Sequence, residues 1–210
     1  DTKYYALLVG NGSGYLSATP LKGPANDVRA VKTMLSSLTA MNWKITLKEN
    51  LTASGIKSAI SSAFKNAGEN DVCLFYYSGH GVTGSSPDDY QGALAGVDGT
   101  TLTGGSLASA LNSAVKGKVI VLLDSCGSGG MIYENGSAAG TTAADANRFV
   151  DSFISAFEYY NKVYEKEKGL VSNTGELLGS KFQVITACDY KQTSTELGNG
   201  VLNFGVFTAS

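Results

Sequence analysis

Histidine is almost absent from this chain: a single residue, His80, serves all 210 positions. Charge is sparse as well, at 16% Asp, Glu, Lys and Arg, with a formal net charge of −2 and a pI near 5.4. Nucleic acid and anionic membrane surfaces call for a basic excess, so neither is expected as a partner. Long hydrophobic runs are missing, and none of the apolar stretches could span a bilayer. No basic-then-apolar leader opens the chain, so a signal peptide is expected to have been removed or never to have existed. Cysteine is limited to three residues, an odd number that cannot pair completely within one chain. Cys73 and Cys188 fall in apolar, strand-like runs, where a thiol serves most often as a small core residue. The compartment is therefore not readable from cysteine usage; an extracytoplasmic one is favoured if Asp1 is a processed terminus. What the chain does have, 43% hydrophobic residues over 210 positions, is enough for one substantial core without disulfides or metals.

The hydrophobic pattern alternates between two periods. Residues 3–10, 43–49, 71–78, 118–124 and 181–188 read as strands. Residues 26–38, 52–67 and 107–115 read as helices, the first with Asn26 or Asp27 as its cap. Residues 82–105 are rich in Gly, Ser, Asp and Thr and read as loop, with a small hairpin near 90–97. Strands alternating with helices predict an α/β fold, with helices on both faces of a mainly parallel sheet. After the fourth strand, residues 134–142 are small and polar, and then Phe149, Phe153, Phe157, Tyr160 and Tyr164 form one stripe of an amphipathic helix. That stripe is expected to pack on its own domain; covering the cleft or a partner is the alternative.

Two motifs sit where such sheets bind ligands, at the carboxyl ends of strands. Tyr77-Ser78-Gly79-His80-Gly81 follows the third strand, and Asp124-Ser125-Cys126-Gly127-Ser128-Gly129 follows the fourth. If these strands are neighbours, His80 and Cys126 face one cleft as base and nucleophile. The thiolate is the reactive form, which His80 generates or holds as an ion pair. Residues two apart on a strand share a face, so Asp124 falls beside Cys126, and Ser78 beside His80, if extension persists. Gly79 and Gly81 leave room for a substrate backbone, and the amides of Gly81 and Cys126 are candidate oxyanion donors. The reaction class is acyl transfer to cysteine followed by hydrolysis.

These motifs resemble those of the caspase-like cysteine peptidases, and among them the metacaspase branch and its bacterial relatives. The segment Leu21-Lys22-Gly23-Pro24-Ala25-Asn26-Asp27-Val28 is similar to the one before that family's first helix, with Pro24 where the family has cysteine. Thr186-Ala187-Cys188-Asp189-Tyr190-Lys191-Gln192-Thr193-Ser194 resembles the stretch after its fifth strand. The resemblance implies a three-layer αβα sandwich formed by residues 1–210 as one peptidase domain. It divides them into a large-subunit-like part (1–130), a linker or insertion (131–180) and the start of a small-subunit-like part (181–210), which stops short of the family's usual length. It implies a His80–Cys126 dyad and an acidic pocket, Asp27 and Asp124, for an Arg or Lys before the scissile bond. Caspases that cleave after aspartate need basic pocket residues; the only arginines here, Arg29 and Arg148, lie in other contexts.

Self-processing is a further implication, with Arg148, Lys162, Lys166, Lys168 and Lys181 as candidate cut sites. Many metacaspases bind calcium through clustered aspartates. Here Asp88, Asp89 and Asp98 remain, but Gly104-Gly105-Ser106 replaces an acidic pair, so no cofactor is required and no strong calcium site is expected. Three rival readings follow from the residues. Gly10-Asn11-Gly12-Ser13-Gly14 follows a strand as a phosphate loop would, but lacks the full glycine spacing and an abutting helix. A catalytically silent caspase-like module used for binding is the second. A serine hydrolase using Ser78, Ser125 or Ser128 is the third, and it lacks the nucleophile-elbow motif.

Overall fold

The computed structural model describes residues 1–16, 18, 20–83, 92–125, 131–133, 138–139, 143–169, 180–186, 196–198 and 203–205. In chain order its first half holds β1 (Tyr4–Gly10), α1 (Gly23–Ser37), β2 (Lys44–Glu49), α2 (Ala53–Phe64), β3 (Val72–Ser78), β4 (Gly81–Thr83), β5 (Ala93–Ala95), β6 (Thr101–Thr103) and α3 (Gly104–Ala114). Then follow β7 (Lys118–Asp124), β8 (Met131–Tyr133), β9 (Ala138–Ala139), α4 (Ala143–Lys168), β10 (Phe182–Thr186), β11 (Glu196–Gly198) and β12 (Asn203–Gly205).

Five strands form the central sheet in the order β10-β7-β3-β1-β2, every pair parallel. This is the α/β sandwich that the alternating periods predict. From β1 the chain steps to β2 on one side, then to β3, β7 and β10 on the other. The order thus reverses between β1 and β3, and at such a switch point the loops after the two strands part to leave a crevice. The loop after β3 carries His80.

Strand alternation divides the core. Tyr5, Leu7, Val9, Cys73, Phe75, Tyr77, Val119, Val121 and Leu123 point to the side covered by α2, α3 and α4. Ala6, Leu8, Leu74, Tyr76, Ile120 and Leu122 point to α1. Phe149, Phe153 and Phe157 of α4 are at most 1% exposed. Each such burial is worth about 1.5–3 kcal/mol, a large share of the roughly 5–15 kcal/mol that holds a domain together. The aromatic stripe therefore packs on its own chain. Burial also pushes the Cys73 thiol up to about 12, the behaviour of an inert core residue.

Two expectations need correction. α1 begins at Gly23, with Pro24 in its first turn, because a proline there gives up only an amide that has no helical partner. Asp27 is consequently inside the helix, whose N-cap position is Lys22. Among the described residues of 81–105 there are three short strands: β5 pairs antiparallel with both β4 and β6, in a second sheet of order β6-β5-β4-β8-β9. The expected hairpin is thus real, but its turn is at 96–100. The polar run at 134–137 and 140–142 lies outside the described residues.

Asp71 ties the sheet's start together. Its carboxylate accepts the Gly68 N–H at 2.7 Å and the Lys3 N–H at 2.8 Å, and these bonds, Gly68's first, hold its pKa below the ordinary value. A depressed folded pKa stabilises the fold above the unfolded pKa, and that contribution is lost as pH falls through the folded value. Asp71→Asn is therefore expected to melt earlier than the wild type at pH 7, with the gap in Tm closing below about pH 4 in a thermal-melt series.

Candidate active site

The two motifs leave neighbouring strands in matched register. β3 pairs with β7 so that Ser78 faces Asp124, and the Gly79 N–H reaches on to the Asp124 carbonyl at 3.4 Å. His80 and Cys126 each come two residues after one member of this pair. Cys126 itself, with 127–130, lies outside the described residues.

An acidic cluster forms on the α1 side. Continuing the alternation of Leu8, Tyr76 and Leu122, the residues Gly10, Ser78 and Asp124 face α1 at the carboxyl ends of β1, β3 and β7. Asp27 meets them from the helix, accepting the Ser78 hydroxyl at 2.6 Å. Asp27 and Asp124 are both 0% exposed. The helix comes this close because β1 ends in glycine: a Cβ on Gly10 would lie 2.6 Å from the Pro24 carbonyl oxygen. Arg29, in contrast, pairs with Glu49 at 3.0 Å on the surface, a contact worth at most about 1 kcal/mol. Ser78 is the member of this cluster that sequence reasoning gave no role beyond the serine-hydrolase rival. Its signal was its place in the motif, one pleat below His80.

His80 is 2% exposed, and its backbone is held at both ends. Its carbonyl accepts the Ala95 N–H and the Tyr77 hydroxyl, each at 3.0 Å. Its own N–H donates to the Tyr15 hydroxyl at 3.3 Å, and the Tyr15 ring meets the imidazole nearly edge-on, centroids 4.9 Å apart. Because the His80 carbonyl points to β5, the trans peptide that follows directs the Gly81 N–H away from β5.

The protein's own packing also constrains the two glycines. The Cβ position of Gly79 lies 2.6 Å from the Tyr77 hydroxyl oxygen, and that of Gly81 lies 3.0 Å from the Phe149 ring. A side chain at either position would crowd the protein's own packing. Phe149 reaches Gly81 from α4, and the Ser152 hydroxyl accepts the Gly92 N–H at 3.1 Å. The long helix after the second motif thus touches the segment that follows His80.

The remaining predicted residues separate. Arg148, Lys162, Lys166 and Lys168 belong to α4. Lys181 is 6% exposed, and its ammonium donates to the Asn112 side-chain oxygen at 2.7 Å and to the Asn112 carbonyl at 3.2 Å. Burial lowers the Lys181 pKa, with the Glu167 charge opposing. Asp98 accepts from the Thr100 hydroxyl and backbone N–H within the β5–β6 turn. Asp88, Asp89 and residues 187–195 lie outside the described residues, and no cluster of potential metal ligands occurs among the described ones.

The phosphate-loop rival meets a specific obstacle. The Gly12 and Ser13 N–H groups already donate to the Asn50 side chain at 3.1 and 2.9 Å, and the Asn11 N–H donates to the Ser78 carbonyl at 2.8 Å. Among the described residues, the first helix after these glycines starts at Gly23. The serine-hydrolase rival fares no better: the Ser78 hydroxyl is given to Asp27, and the buried Ser125 hydroxyl has no partner among the described residues.

Comparison with known proteins agrees with this architecture. The profile of the caspase domain matches residues 3–210. No curated protein matches the sequence closely enough to name a relative. Among solved structures, one of a protein from Geobacter sulfurreducens superposes with a TM-score of 0.62 at 20% identity, covering 99% of this chain and 79% of that one. At that identity the likeness concerns the fold alone. With nearly the whole chain matched and both motifs leaving paired strands of one parallel sheet, the protein belongs to the caspase domain family of cysteine peptidases.

Proposed function

We propose that this protein is a cysteine endopeptidase that cleaves after arginine or lysine, with Cys126 as nucleophile and His80 as its base. The observation that carries this reading is the Ser78–Asp124 register, which puts the starts of both motifs on neighbouring strand ends. The Cys126 thiolate attacks the scissile carbonyl carbon, and the developing oxyanion takes the Gly81 and Cys126 amides. As the tetrahedral adduct collapses, His80 gives its proton to the leaving amine and the C–N bond breaks. Water then attacks the thioester, His80 accepting its proton, and the acid leaves as the thiolate reforms. The basic side chain before the scissile bond is bound by Asp27 and Asp124. A guanidinium can bond two carboxylates through separate N–H pairs, which an ammonium cannot do as well.

Fluorogenic peptides with Arg, Lys or Asp before the bond test this directly. Turnover after Arg, weaker turnover after Lys and none after Asp are expected. A correctly folded protein that turns over none of them, with or without calcium, would return the chain to the reading of a binding module.

Self-processing, if it follows the same specificity, is narrowed by the fold. A scissile segment must lie extended and exposed, whereas Arg148, Lys162 and Lys166 are held inside α4 and Lys181 is buried. Lys168 is the helix's last residue, and Gly169 after it has φ +65°. Any fragment formed on concentrated incubation is expected to begin at Gly169 by N-terminal sequencing. Fragments beginning at Val163 or Glu167 would show that the helix opens first.

A further inference from the structure

We infer that Tyr15 is a positioning residue for His80, fixing the plane of its imidazole; the catalytic part of this inference rests on the peptidase reading above. The loops after β1 and β3 part at the sheet's switch point, and Tyr15 crosses from the first loop to the second. It holds His80 in two ways at once. The aromatic ring packs against the imidazole at an interplanar angle of 67°, and the hydroxyl accepts the His80 backbone N–H. The same hydroxyl donates to the Asn11 carbonyl at 2.6 Å. An oxygen that must both donate and accept has to stay protonated, and burial, the largest influence on it, pushes the Tyr15 pKa up to about 12.

The anchor behind Tyr15 is rigid. Asn11 is 0% exposed, and its side chain donates to the Leu51 and Ala95 carbonyls at 2.9 and 3.0 Å while accepting the Leu51 N–H at 2.9 Å. Ala95 is also the residue whose N–H and carbonyl secure His80 and Tyr77. The Leu16 N–H donates to the Val97 carbonyl at 3.2 Å, tying the chain just beyond Tyr15 to the same hairpin. Tyr15 and Tyr77 therefore hold the N–H and the carbonyl of His80 from one shared network. Tyr77 reaches His80 at its backbone carbonyl. Tyr15 is in ring contact with the imidazole, and so bears on the side-chain torsion that aims the base. General-base catalysis is sensitive to such aim, because a misplacement of about 1 Å can cost on the order of a hundredfold in rate.

The single histidine makes this testable without activity. Its imidazole proton resonances stand alone in the NMR spectrum of protein labelled at histidine, and a neighbouring ring shifts them. Tyr15→Leu is expected to move those resonances and to lower kcat for an Arg peptide by roughly 30- to 100-fold, with KM changed less than about twofold. Tyr15→Phe keeps the ring and loses the hydroxyl, so it should restore most of the shift and a large part of kcat. A folded Tyr15→Leu protein with unmoved histidine resonances and wild-type kcat overturns the inference. So does a loss confined to KM, or a Tyr15→Phe protein no better than Tyr15→Leu. If the wild type cleaves no peptide, the peptidase reading fails by itself, and the resonances still decide whether Tyr15 positions His80.

Discussion

Alanine at Cys126 should leave no measurable turnover of an Arg peptide, and glutamine at His80 should cut kcat by about 10²–10⁴-fold. The two changes combined should cost no more than the first alone. The reason is that base and nucleophile act as one unit: without the thiolate there is nothing for the imidazole to activate, so the losses do not add. Glutamine is preferred over alanine at His80 because the site is 2% exposed and a smaller residue would leave a hole beneath Tyr15. Kinetics on protein shown by thermal melting to be folded would check this. A His80→Gln enzyme within tenfold of wild type would remove His80 from the mechanism and leave the paired strand ends without a base.

The second large effect concerns specificity. Asp27→Asn and Asp124→Asn should each lower kcat/KM for an Arg peptide by about 10- to 100-fold, the cost of a charge-assisted hydrogen bond of roughly 1.5–3 kcal/mol. The matching citrulline peptide, equal in shape but uncharged, should lose little. That contrast separates recognition from folding, since Asp27 also holds the Ser78 hydroxyl at 2.6 Å and a structural defect would depress both peptides alike. The double variant should fall short of the product of the two, because on this reading both carboxylates bind one and the same side chain. Equal losses on the Arg and citrulline peptides would sink the pocket assignment.

Much of the frame is legible in the sequence because its strands are buried and uniform. Residues 118–124 are predicted and observed with the same bounds, and β1 differs from its prediction by one residue. The start of α1 is not legible in the same way: the helix is expected from residue 26, whereas Gly23 and Pro24 already belong to it and pack on Gly10. This shift decides the meaning of Asp27, which changes from a cap to a side chain aimed at the sheet. Strands β4, β5 and β6 are three residues each, too short for a period of two to register. Tyr15 is invisible for another reason. It belongs to a glycine-rich turn with no periodicity, and its role arises only when β1 and β3 become neighbours. Chemistry carried by one residue type, such as His80, can be read before the fold; chemistry carried by proximity cannot.

The alternation of the central strands has an evolutionary consequence. Positions 10, 78 and 124 lie on the α1 side, whereas the larger core, from Tyr5 through Phe75 to Leu123, lies on the other. With Asp27 and Asp124 as the proposed pocket, substitutions that change the accepted side chain would fall on the opposite face of the sheet from the larger core. A lineage with this sheet can exchange one charge pattern for another at the strand ends while its main core stays under separate selection.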